Sequence, residues 1–193
     1  MSLLSAIPVG VLAGFLLGGR LSNLERLRLR WWAVVVSALV IQVAIFTAVL
    51  PVPNEAIPFL YLLSNGLACA WLVRNIRIAG VRCISLGSLS NLAAIAFNGG
   101  RMPVDQTLLT RSRGAAFAQG VAQGQTPTNA VIADAHTRLV WLTDRFLLPP
   151  PVPFPVVFSA GDVLIAIGVA WLIAAGMRRR ELAPQASTLA PAA

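Results

Sequence analysis

From Trp31 to Leu50 the chain runs for twenty residues without a charged side chain, and it stops at Pro51-Val-Pro53. At ~1.5 Å of rise per residue such a helix measures about 30 Å, the thickness of a bilayer's hydrocarbon core. Comparable apolar runs cover residues 3–19, 57–73, 80–97 and 160–177. Lipid offers the backbone no hydrogen bonds, so a run of this kind is stable there only as a helix that satisfies itself. The expected fold is therefore all-α: an integral membrane bundle of five transmembrane helices, with a long, partly helical outer loop over residues 98–157.

Composition agrees with that reading. The chain is 57% hydrophobic and 11% charged, with a mean hydropathy of +0.76, whereas soluble domains carry about 25% charged residues. At 193 residues one bundle over residues 1–182 uses up the chain, and the Ala-, Pro-, Ser- and Thr-containing stretch 183–193 reads as a disordered tail.

All fifteen basic residues are arginine. In a soluble protein a net charge of +8 would suggest nucleic acid. Here arginines crowd the ends of apolar runs, where they reach phosphate headgroups and set orientation, so the expected partners are membrane lipids and no nucleic acid. Alternating five spans puts residues 20–30, 74–82 and 178–193 on one side, with ten of the fifteen arginines. That side is expected to be cytoplasmic, with the N-terminus out and the C-terminus in. The first run is not read as a signal peptide, because Arg20, Arg26, Arg28 and Arg30 follow it rather than precede it. Cys69 and Cys83 belong to no CxxC pair or zinc spacing and read as small buried hydrophobes.

Several features go beyond topology. Gly10, Gly14 and Gly18 recur at every fourth position and form a small-residue stripe suited to close helix packing or self-association. Gln42, Asn65 and Asn91 sit near the middle of segments two, three and four. Asn65 and Asn91 lie at matching depths, so they are expected to face each other or share a polar pocket, as interhelical glue or as a headgroup site. Segment four, with Arg82, Ser85, Ser88, Ser90 and Asn91, is expected inside the bundle, its Gly87, Asn91, Ala94 and Asn98 forming one stripe.

That stripe leads into Asn98-Gly-Gly-Arg-Met-Pro103, where two glycines suit a helix C-cap and Arg101 suits a phosphate or carboxylate headgroup. Helical pieces are expected from Pro103 and over residues 128–146, joined by a Gly/Gln-rich stretch at 120–126, with 137–146 lying on the membrane surface. Ser159-Ala-Gly-Asp162 has capping-box spacing at the start of segment five; alternatively Asp162 pairs with Arg101 or Arg145. In the loop Asp134, His136, Arg138, Asp144 and Arg145 cluster, but one histidine without HExxH or GxSxG argues against an enzyme, and the scattered carboxylates offer no metal spacing. No cofactor is expected.

The order of these elements resembles a family of small bacterial membrane proteins catalogued as a domain of unknown function. The resemblance runs from about Leu3 to Arg180. It is carried by Asn23 to Arg30, Asn91, Asn98-Gly-Gly-Arg-Met-Pro103, Thr137 to Asp144 and Phe158-Ser-Ala-Gly-Asp162 onward. It implies a bacterial cytoplasmic membrane, and it implies that Asn98, Gly99, Gly100, Met102, Pro103, Asp144 and Asp162 belong to one site. The leading expectation is a non-enzymatic accessory subunit or a binder of a lipid-like or quinone-like ligand, with a membrane-protein partner or homo-oligomer. The alternatives are an interfacial enzyme acting on a lipid-linked substrate through Asp144, His136 or Asp162, and a small oligomeric transporter.

Overall fold

A computed structural model describes residues 3–47, 52–53, 55–125, 128–149 and 155–178. The end of segment two beyond Thr47, most of the proline-rich run before Pro155 and the 183–193 tail lie outside the described residues. The long helices are α1 (Leu3–Leu16), α2 (Trp32–Phe46), α3 (Ile57–Arg74) and α4 (Val81–Phe97). The region between α4 and the last helix then contributes strand β1 (Met102–Val104), helices α5 (Gln106–Arg113) and α6 (Ala115–Ala122), and strands β2 (Ala130–Ile132), β3 (Phe146–Leu148) and β4 (Val156–Phe158). Helix α7 (Ala160–Met177) closes the described chain.

Local chemistry sets most helix ends. Gly18 adopts φ +74° and the Gly19 amide donates to the Gly14 carbonyl at 2.8 Å, a left-handed closure that ends α1. Pro58 stands in the first turn of α3, where its missing amide costs nothing. Ser159 caps α7 by a full capping box with Asp162.

Packing places α7 against both α1 and α4, α4 also against α3, and α3 against α2. The last helix in sequence is thus wedged between the first and the fourth. Glycine makes the wedge possible on both sides. A Cβ on Gly10 would stand 2.9 Å from the Ala170 Cα, and one on Gly14 would strike the Met177 side chain. On the other face, a Cβ on Gly161 would lie 2.7 Å from the Gly87 carbonyl oxygen, and one on Gly168 would lie 2.7 Å from that of Gly80. Backbones so close gain dispersion energy along their whole contact, the main source of helix association where no water is displaced.

The expected glycine stripe is corrected at one position. Gly18 meets nothing within 4 Å, while Gly19 abuts Met177, because α1 has already ended and its helical spacing no longer applies. Segment four is also less interior than expected: Ser85, Gly87, Ala94 and Ile95 are buried, but Leu86, Leu89 and Phe97 are exposed. Its small and polar side is turned inward and its large apolar side outward.

The same bias runs along the long helices, with Ile45, Leu72, Val81 and Met177 among the buried exceptions. Buried helix positions are mainly small, among them Ala6, Ala38, Ser64, Ala166 and Ala174, whereas Leu12, Val40, Phe59, Leu86 and Trp171 stand exposed on the five long helices. Helices α3 and α7, 18 residues each, are long and apolar enough to cross a membrane, and apolar stretches of α1, α2 and α4 are shorter.

The molecule is mostly helical rather than all-α, since the region between α4 and α7 carries two small sheets. Strands β1 and β2 pair in parallel, Met102 beside Ala130, and β3 and β4 pair antiparallel, Phe146 beside Phe158. Pro103 therefore begins no helix; α5 starts after it with Asp105 accepting the Leu108 amide at 2.9 Å. The expected helix over 128–146 is replaced by β2, turns, a single 3-10 turn at Val140–Leu142 and the start of β3. The stretch read as a Gly/Gln-rich joint is helical through Ala122. The physical reason is burial: Val104, Leu109, Ala118 and Val121 form a core of their own, flanked by Ala130, Ile132 and Val157, which an isolated surface helix could not supply.

Candidate functional site

The site grows from the N-terminus of α7. Ser159 Oγ accepts the Asp162 amide at 3.1 Å, and Asp162 Oδ2 accepts the Ser159 amide at 3.0 Å. From α4, Asn91 reaches across and completes the ring: its Nδ2 donates to Asp162 Oδ1 at 2.8 Å, and its Oδ1 accepts the Ser159 hydroxyl at 2.8 Å. Gly161 leaves the room for this, since a Cβ there would collide with the Asn91 amide. An amide has both a donor and an acceptor, so one Asn can serve the two members of a capping box at once.

Asp144 is brought alongside by strand pairing. Its amide donates to the Pro103 carbonyl at 3.0 Å, and residue 144 bridges Val104 in parallel. Backbone bonding thus positions the residue, while no hydrogen bond or ion pair holds its carboxyl among the described residues. Burial, reinforced by the neighbouring Asp162 carboxylate, pushes the Asp144 carboxyl from the ordinary 3.8 up to about 7. Near neutral pH this group is shared between its acid and its base forms.

Tyr61 of α3 supplies a third polar group. Its hydroxyl accepts Asn129 Nδ2 at 2.8 Å, and it lies within electrostatic reach of both carboxylates. Sequence reasoning missed Tyr61 and Asn129. Tyr61 is the chain's one tyrosine, and a polar-tipped aromatic in an apolar run was the available signal.

The other expected residues divide. Asn98 Nδ2 donates to the Ala94 and Arg138 carbonyls at 2.7 and 2.9 Å, and its Oδ1 accepts the Arg138 amide at 2.8 Å, so it pins the loop onto the end of α4. His136 is exposed, its amide held by Asp134 Oδ1 at 2.9 Å in an Asx turn, and no described contact carries it to the carboxylates. Asp162 forms no ion pair with Arg101 or Arg145; the Arg145 guanidinium lies 4.5 Å from the centre of the Trp141 ring. Arg101 is half-buried, without a described side-chain partner.

The layer of three amides is also redistributed. Gln42 Nε2 donates to Ser64 Oγ at 3.2 Å, joining α2 to α3, while Asn65 Nδ2 donates to the Tyr61 carbonyl at 2.8 Å within its own helix. Asn65 and Asn91 do not bond each other, because the α7 capping box occupies both ends of the Asn91 amide. Two cavities are lined elsewhere, one by Gln106, Thr107, Thr110 and Arg111, and a larger one at the opposite end of the helices.

The chain belongs to the family of unknown function DUF5317, whose model matches residues 26–174. The match takes in Asn91, Asn98 to Pro103, Asp144 and Asp162, and it leaves the glycine-rich α1 outside. No curated protein and no solved structure matches the chain.

Proposed function

We propose that this member of DUF5317 is a multi-pass protein of the bacterial cytoplasmic membrane. On this reading all five long helices cross the membrane, N-terminus out and C-terminus in, and the protein acts by binding rather than catalysis. The inverted distribution of side chains, small inside and large apolar outside, supports lipid as the solvent of all five helices, including the three shorter ones. The outer region then covers the outward ends of α4 and α7.

The observation that carries the functional reading is a buried Asp144 carboxyl with no hydrogen bond or ion pair among the described residues, within electrostatic reach of Asp162 and of the Tyr61 hydroxyl. A protonated Asp144 is a hydrogen-bond donor, and the Tyr61 phenol, itself bonded to the Asn129 amide, lies within its electrostatic reach. Such a group fits the carbonyl or hydroxyl of a lipid-like or quinone-like headgroup, bound with uptake of one proton. An acid–base enzyme would use the same titration, but His136 stays apart and Asp162 is engaged in its cap, so binding is the simpler role.

Topology is tested by replacing Cys69 and Cys83 with Ala and introducing single cysteines at Arg77 and Arg111 for labelling in intact cells. Labelling at 111 but not at 77 is the expected pattern; the reverse pattern, or labelling of neither after lysis, would overturn it. Binding is tested by thermal shift of detergent-purified protein with a short-chain quinone at pH 6 and pH 8. Stabilisation that weakens at pH 8 and disappears in Asp144→Ala supports the reading, and equal shifts in the variant would end it.

A further inference from the structure

At the other end of α2 and α3 the two linkers that precede α2 and follow α3 enclose a cavity of about 620 Å³. Its lining includes Arg28, Arg30, Arg74 and Arg77, and no acidic residue. None of the four forms an ion pair among the described residues. Four guanidinium groups around one hollow repel each other, and an arrangement of this kind is stable when an anion enters it.

The hollow is held open by a built feature. Asn75, 3% exposed, closes α3 and grips the opposite linker: its Oδ1 accepts the Arg30 amide at 2.9 Å, and its Nδ2 donates to the Arg30 carbonyl at 3.0 Å and to the Trp71 carbonyl at 2.9 Å. Both backbone groups of Arg30 are therefore bound by one buried amide, which locks the register of the two linkers. Next to it Trp31 is held at φ +60°, a left-handed conformation that bulky residues rarely adopt, with the Arg74 guanidinium 5.6 Å from its ring centre. Such a conformation persists where the surrounding contacts over-determine it.

Apolar side chains stand exposed beside these arginines: Val73, part of the lining, and Trp31 and Trp32, which follow Arg30 in the chain, are 58%, 57% and 68% exposed. Tryptophans beside arginines mark the headgroup level of a bilayer, where acyl chains lie on one side and phosphates on the other. A soluble anion would need the arginines but not these exposed apolar neighbours.

We propose that the groove between the α1–α2 and α3–α4 linkers binds an acidic glycerophospholipid. Its phosphate sits among Arg28, Arg30, Arg74 and Arg77, and its acyl chains leave over Val73 and Trp32. The proposal rests on the membrane reading above but not on the Asp144 site, which lies at the opposite end of the helices.

The test compares the wild type with R30Q/R74Q/R77Q, both reconstituted in vesicles of equal phosphatidylglycerol and phosphatidylcholine, extracted gently and weighed by native mass spectrometry. The wild type is expected to retain phosphatidylglycerol over phosphatidylcholine by about tenfold, and the triple variant to lose that preference. The R30K/R74K/R77K variant, which restores charge without the guanidinium fork, is expected to recover part of it. Unchanged helicity by circular dichroism keeps the glutamine variant informative. Equal retention of phosphatidylglycerol by wild type and glutamine variant would overturn the proposal. So would displacement of the lipid by millimolar inorganic phosphate, which would make the groove a free-anion site. Purification without any detergent would overturn the membrane reading itself, a failure distinct from absent lipid selectivity in a detergent-dependent protein.

Discussion

The Asn91 side chain on α4 donates to the Asp162 carboxylate on α7 at 2.8 Å while accepting from the hydroxyl of Ser159, the residue that caps α7. A local capping motif has thereby become an interhelical joint. The same joint keeps the Asp162 charge close to Asp144 and so contributes to the altered acidity of that group.

Removing either end of the joint leaves buried polar atoms unpaired. N91A is expected to lower stability by about 1–3 kcal/mol and D162A by about 0.5–2 kcal/mol. The two losses are expected to be strongly less than additive, because each variant already breaks the shared bond. Unfolding of the two single variants and the double variant in a mixed-detergent titration measures the coupling, and simple additivity would contradict the joint.

The pH dependence follows from Asp144. Its folded-state value of about 7 stands above the ordinary 3.8, so between those values the folded protein binds more protons than the unfolded one. Stability contributed by this group is complete below the unfolded value and is lost as pH rises toward 7, by up to about 1.4 kcal/mol per pH unit. D144N, neutral at every pH, is expected to flatten that decline and to melt higher than wild type at pH 8. Parallel melting curves for the two proteins from pH 5 to 8 would show that Asp144 does not titrate in this range.

Two glycines on helices give opposite expectations. Leucine at Gly14 would drive into Met177 and separate α1 from α7, at a cost of about 1–3 kcal/mol or more. Gly66 lies inside α3 with nothing within 4 Å of its missing Cβ, so G66A is expected to stabilise by about 0.4–1 kcal/mol through the unfolded chain. Thermal melts of both variants decide; a destabilising G66A would show that the space beside this position is not open in the folded protein.

Asn75 holds the α1–α2 linker to the end of α3 through two hydrogen bonds to Arg30 and a third to Trp71 of its own helix. N75A is expected to cost about 1–3 kcal/mol and to speed hydrogen exchange at the Arg30 amide, whose acceptor is lost. Slow exchange retained at Arg30 would show that other contacts keep the linker in place.

How much of this was legible beforehand depends on the range over which each feature is decided. The bounds of α3, α4 and α7 fall within one residue of the apolar runs read at 57–73, 80–97 and 160–177, because helix length and stop signals are local. The capping box was legible for the same reason: Ser159 and Asp162 satisfy amides three positions apart. Asn91, Asp144 and Asp162 were each singled out in the chain, but not the way the first and third meet. Tyr61 and Asn129 were missed altogether, since their value as a pair exists only when α3 meets the loop.

The sequence by itself determined the helical runs, their caps and the clustering of arginine at their ends, all consequences of hydrogen bonds and hydropathy within a few residues. Tertiary structure alone decided that α7 lies between α1 and α4. An apolar helix offers no hydrophobic face to mark its partner, and the choice falls to where missing Cβ atoms let backbones meet. It also decided the small sheets between α4 and α7, where a three-residue strand such as Met102–Val104 has no stability until Ala130–Ile132 and a shared core stand beside it. Through the bridge of Val104 to residue 144, Asp144 comes within electrostatic reach of Asp162, and burial beside that carboxylate makes Asp144 a weaker acid.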